Sequence, residues 1–133
     1  MKKSISEIQR EVHQLAIDKG WYEGTPRTEL ELIALIHGEL SEAVEEIRKG
    51  HPKSYINVTG VIHLPIDLNE QRDDVDDAIK KGTKPEGRLF ELADAVIRIM
   101  DYCEYHKMNL EKAIELKHEF NKTRPHRHGG KKY

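Results

Sequence analysis

Two short patterns in this chain place carboxylates where they could share a cation. Glu39-Leu40-Ser41-Glu42 and Glu91-Leu92-Ala93-Asp94 each carry two acids three residues apart. On an α-helix, positions three apart lie only ~60° apart around the axis and one turn apart along it. Each pair therefore projects both carboxylates to one side. Two such helices side by side would gather four hard oxygen donors. That is the ligand set Mg²⁺ takes, with water or phosphate oxygens completing its octahedron. The spacing alone is weak evidence. Among 24 acidic residues, Asp73 with Asp76, Asp74 with Asp77 and Glu42 with Glu45 match it too.

The helical wheel separates the two patterns. With Leu40 at the centre of the buried stripe, Glu39, Glu42 and Glu46 cluster to one side, in a sector that also holds Leu32 and Leu35. A carboxylate sector that continues an apolar surface needs a compensating cation or hydrogen bonds. Glu45 and Arg48 point the other way and read as surface residues. The second pattern is less telling. Glu91, Asp94, Arg98 and Asp101 form one polar face, which solvent and an Asp94–Arg98 pair within the helix would explain equally well.

The elements that must position these groups are four helices. The first is expected over about Ser4–Lys19, where Ser4 followed by Glu7 fits a capping box and Ile5, Ile8, Val12, Leu15 and Ala16 form an apolar stripe. Gly20 ends it, and Trp21 to Arg27 is a turn-rich connector. The second runs over about Thr28–Lys49 and stops at Gly50, with Leu30, Ile33, Leu40, Val44 and Ile47 on its core side. The third covers about Arg88–His106, with Leu89, Leu92, Val96, Met100 and Cys103 in line. The fourth covers about Asn109–Lys122, with Asn109 as N-cap and Leu110, Ala113, Ile114 and Phe120 apolar. Between the second and third, residues 51–87 read as an insert. Tyr55–Thr59 and Val61–Leu64 are strand-like around Gly60, which suggests a small β-hairpin. Asp67–Lys81 suits a short polar helix, and Gly82–Gly87 a loop. The fold expected is all-α, a four-helix bundle in a single domain spanning 1–133, with a basic tail at 122–133.

Bulk properties narrow the function classes. A chain of 133 residues carrying 22 basic and 24 acidic residues, net charge -2, is not the clearly basic chain of a dedicated nucleic-acid binder. The charge is uneven. Lys117, Lys122, Arg124, Arg127, Lys131 and Lys132 crowd the end of the chain, which suits a small anionic ligand better than a long duplex. The one cysteine, Cys103, allows no internal disulfide. Neither a signal-peptide apolar run nor a membrane-length one is evident, so a cytoplasmic protein is the default expectation.

At this point the residues match a known pattern. Leu35-Ile36-His37-Gly38-Glu39-Leu40-Ser41-Glu42-Ala43, followed by Glu91-Leu92-Ala93-Asp94-Ala95-Val96-Ile97-Arg98, resembles the signature of the MazG-like all-α nucleoside triphosphate pyrophosphohydrolases. The lead-in from Trp21 through Pro26-Arg27 looks like the segment before the first motif in that superfamily. The tail, Lys117-x-x-x-Asn121-Lys122-Thr123-Arg124-Pro125-His126-Arg127-His128-Gly129-Gly130-Lys131, resembles the ending of a phage and bacterial subgroup. The likeness covers most of the chain except about residues 51–84. The interval between the motifs is longer than usual in that family, which bears on the pocket rim and on substrate choice. An insertion in a surface loop would leave the four carboxylates undisturbed.

The resemblance implies a reaction. Members of the family hydrolyse a nucleoside triphosphate between the α and β phosphates, giving the monophosphate and pyrophosphate. By analogy Glu39, Glu42, Glu91 and Asp94 bind Mg²⁺, with Mn²⁺ as a substitute, and Glu39 is the candidate general base. Trp21 is a candidate base-stacking residue, with helix packing the alternative. Lys117 and Asn121, one turn apart on the fourth helix, and Arg124, Arg127 and Lys131 in the tail are candidate phosphate ligands. The alternative for the tail is a solubilising terminus. His13 reads as a surface histidine and His37 as structural. Relatives are dimers or tetramers, and a wide apolar belt on so small a chain also suggests a homo-oligomer. No membrane or nucleic-acid partner is expected. Two other readings compete. A di-iron bundle needs two Glu-x-x-His motifs, and only Glu115-x-x-His118 is present. A non-catalytic helical regulator that binds metal or nucleotide, or a dimerising interaction protein, would keep the bundle without the chemistry.

Overall fold

The computed structural model describes residues 2–60 and 62–125. Its order is α1 (Ile5–Asp18), α2 (Glu29–Arg48), β1 (Tyr55–Val58), β2 (Ile62–Pro65), α3 (Asp73–Lys80), α4 (Arg88–Tyr105) and α5 (Leu110–Lys122). The chain is thus mostly helical, with one small antiparallel sheet. Both the hairpin and the short helix expected in the insert are present. None of the described helices is long and apolar enough to cross a membrane. Two compact units divide the chain: residues 1–26 with 100–133, and residues 27–99. Helix α4 contributes to both.

The helix ends follow local chemistry. Ser4 caps α1 in a full capping box with Glu7, Thr28 accepts from the Glu31 amide, and Asn109 accepts from the Lys112 amide. Each such cap stabilises its helix by ~1 kcal/mol. In the first unit a second acid reinforces the start of α1. Glu111 of α5 accepts from the Ile5 amide at 2.9 Å and from the Ser6 hydroxyl at 3.2 Å. A carboxylate there neutralises the positive end of the helix dipole.

In the second unit the insert supplies the core. Strands β1 and β2 pair in the register Tyr55↔Pro65 to Val58↔Ile62. Thr59 and Gly60 both take positive φ at the reversal, a backbone that hairpin turns use. Ile56, Ile66 and Val75 are buried together, and Ile79 and Phe90 pack against them. The insert, expected as a surface-loop insertion, is instead part of the core of this unit. Strand, loop and α3 residues of the insert bury the apolar cluster against the first turn of α4. The segment expected as plain loop also pairs: Tyr55 and Glu86 form an antiparallel bridge.

The expected core stripe of α2 is corrected as well. Leu30, Ile33, Leu40, Val44 and Ile47 are all exposed, Leu30 by 84%, while Ala43 is the buried residue of this helix. Leu89, Leu92 and Val96 of α4 are exposed too, as are Ile114 and Phe120 of α5. Periodicity identifies an apolar face, and a single copy of the chain leaves these faces uncovered.

Candidate metal centre

The expected carboxylates converge within the second unit. Glu39 on α2 and Glu91 and Asp94 on α4 each offer an oxygen, all within 4.8 Å of one another. Around octahedral Mg²⁺ with ~2.1 Å bonds, adjacent oxygens lie ~3.0 Å apart and opposite ones ~4.2 Å. The three groups are thus close to a coordinating arrangement and need only side-chain adjustment. Glu42 is exposed and stands outside this set of three, but it hydrogen-bonds Glu91.

The electrostatics describe a site with too much negative charge. Burial pushes the Glu91 carboxyl up to about 7, and the hydrogen bond and charge of Glu42 add to this, followed by Asp94 and Glu39. Close carboxylates raise one another in this way, and a cation beside them would act in the opposite direction. Oε2 of Glu91 is buried with no hydrogen-bond partner. Asp94 is also raised, by burial first and then by Glu42, while Arg98 and Lys84 oppose the shift. An orphaned oxygen, a raised carboxyl and three converging hard donors all fit a divalent cation.

Arg98 completes the site. Its Nε donates to Oε1 of Glu39 at 2.7 Å, with the side chains 29% and 12% exposed. The expected reading of Arg98 as half of a bland intrahelical pair misses this reach from α4 to α2. The signal was available, since positions 91, 94 and 98 share one helical face.

A cleft of about 260 Å³ adjoins the centre and includes Glu42, Glu46, Lys49, His51, Glu86 and Glu91 in its wall. Glu45, placed by the wheel on the far side, lines it as well. Glu46 is not a free acid beside this cluster. It accepts from the Tyr55 hydroxyl at 2.7 Å and pairs with Nδ1 of His51. Burial works to raise the Glu46 carboxyl, but the bonds from Tyr55 and His51 outweigh it and hold the group below its ordinary value. The Tyr55 phenol is pushed up in turn, by burial and then by Glu46. Nothing in the local sequence announces this network, because its members come from a helix, a turn and a strand.

The remaining candidates belong to the first unit or lie outside the described residues. Trp21 is exposed. Lys117 and Arg124 stand over the Phe120 ring, 4.9 and 5.8 Å from its centroid, and Asn121 is exposed on the same helix. Arg127 and Lys131 are the two that fall outside the described residues. His13 is not the surface residue expected. Its Nδ1 bonds Asp101 at 2.8 Å, and the Tyr22 hydroxyl donates to the same carboxylate at 2.5 Å. Asp101, read as part of a solvent-facing polar face, is only 5% exposed. Glu115 of the lone Glu-x-x-His motif is exposed and lies 4.0 Å from Lys112.

Comparison of the chain with protein-family models, with curated proteins and with solved structures finds no match.

Proposed function

We propose that this chain is a Mg²⁺-dependent nucleoside triphosphate pyrophosphohydrolase, converting a (d)NTP and water to the (d)NMP and pyrophosphate. One observation carries the reading: Glu39, Glu91 and Asp94 converge although their motifs stand 52 positions apart (39 to 91). The MazG-like resemblance of the two motifs then supplies the substrate class. When bound, the metal would neutralise the triphosphate and lower the pKa of an attacking water. Glu39, Glu91 and Asp94 would hold it, and Glu42 is assigned to it by the resemblance. Glu39, oriented by Arg98, takes the proton of the water. The water oxygen forms its bond to the α phosphorus as the bond to the bridging oxygen breaks, and pyrophosphate leaves with those electrons. Lys117, Asn121, Arg124, Arg127 and Lys131 are assigned to phosphate and Trp21 to the base, on the resemblance alone. The four-helix bundle, cytoplasmic location and homo-oligomeric state belong to the same proposal.

The test is direct. The purified chain is incubated with Mg²⁺ or Mn²⁺ and a panel of normal and oxidised dNTPs, and pyrophosphate is measured. Release of pyrophosphate that Glu42→Gln or Asp94→Asn abolishes supports the enzyme. Tight binding of metal and nucleotide without any product would instead favour a non-catalytic regulator.

A further inference from the structure

Tyr55 bonds one helix that carries the candidate metal carboxylates and the residue that leads into the other. Its hydroxyl donates to Glu46 at 2.7 Å, and Glu46 stands one turn beyond Glu42 on α2. Its amide donates to the Glu86 carbonyl at 2.9 Å, and its carbonyl accepts from the Glu86 amide at 2.9 Å. Glu86 lies just ahead of α4, whose first turn holds Glu91. The Leu89 amide adds a bond to the Lys53 carbonyl at 3.0 Å. Tyr55 itself is 3% exposed. The side chain thus holds α2 and the backbone holds the start of α4.

We propose that Tyr55 is the positioning residue of the metal centre, setting the distance between Glu42 on α2 and Glu91 on α4. The inference rests on the metal-binding reading above. Its physical reason is repulsion. Ionised carboxylates this close repel; Arg98 ties α4 to α2 at Glu39, 2.7 Å, and Tyr55 supplies the tie at the Glu46 end of α2. Tyr55 does so from a buried position on β1, with its ring against those of His51 and His63. Outer contacts of this kind typically alter metal affinity by about 10–100-fold when removed.

The test measures Mn²⁺ binding to the full chain by electron paramagnetic resonance, with folding checked by circular dichroism. Tyr55→Phe keeps the ring and removes only the hydroxyl, and should weaken Mn²⁺ binding roughly 10-fold. Glu46→Gln retains an oxygen that accepts from Tyr55 and should stay within about threefold of the wild type, whereas Glu46→Leu, which also removes the pair with His51, should weaken binding at least as much as Tyr55→Phe. A folded Tyr55→Phe that binds Mn²⁺ as tightly as the wild type overturns the proposal and leaves the metal centre standing. Should Tyr55→Phe not fold, Glu46→Leu takes its place, and undiminished Mn²⁺ binding by that variant overturns the proposal in the same way. A wild-type chain that binds no Mn²⁺, or a Glu91→Gln variant that binds it undiminished, overturns the metal centre and this role with it.

Discussion

Arg98 on α4 donates to Glu39 on α2 at 2.7 Å, so the candidate general base is already paired with a cation. A guanidinium beside a divalent cation raises the cost of binding it. Arg98→Gln should therefore tighten Mg²⁺ binding in the absence of nucleotide by about three- to tenfold, a few-fold electrostatic effect of the kind expected at a partly screened site. Calorimetric titration at low ionic strength measures it. Unchanged or weaker binding would show that orienting Glu39 matters more than the competing charge.

The proton on Glu91 has a thermodynamic consequence. Its folded value is raised from 4.5 to about 7, first by burial and then by Glu42. In metal-free protein the folded state thus binds a proton that the unfolded chain has released. That contribution to stability is present below about 4.5 and is lost as pH rises through about 7. Glu46 has the opposite sign. Its lowered value stabilises the fold above the ordinary carboxylate range and is lost on acidification. Melting temperatures in chelator should fall between about pH 5 and 8 by more in the wild type than in Glu91→Gln. Identical slopes would remove Glu91 as the source.

Gly87 is a position where no side chain fits. It takes φ +109°, and a Cβ there would lie 2.5 Å from the Lys53 carbonyl oxygen. Relieving that contact means moving backbone, which breaks the docking of α4 on the insert. Gly87→Ala should cost about 2–4 kcal/mol, combining strain with lost hydrogen bonds. Urea unfolding tests this, and a loss under about 0.5 kcal/mol, the range of ordinary surface changes, would show that the contact yields easily.

The exposed face of α2 predicts self-association. Leu30, Ile33, His37, Leu40, Val44 and Ile47 follow alternating steps of three and four, the spacing of a helix-packing seam. Uncovered apolar stripes of this length mark interaction surfaces. Light scattering at micromolar concentration should give a dimer or tetramer, and Val44→Lys should shift it to monomer while leaving the helical signal intact. A monomeric wild type would contradict the expectation.

Sequence by itself determined the helices and their caps, and named acids that could share a face; that Glu39, Glu91 and Asp94 converge was decided by the tertiary structure. Helix ends and shared faces are local matters. Ser4 with Glu7, Thr28 and Asn109 state where helices begin, and three-residue spacing states which acids share a face. The hairpin was legible for the same reason, in two β-rich runs around Gly60. Tertiary structure alone decided which groups answer those acids. Arg98 reaches Glu39 across 59 positions, Tyr55 links Glu46 to Glu86, and Asp101 is buried by His13 and Tyr22 from the far end of the chain. It also decided that the insert builds the core of the second unit while the apolar stripe of α2 stays uncovered. Periodicity records which residues share a face. What that face meets is set by long-range packing, which no local pattern encodes.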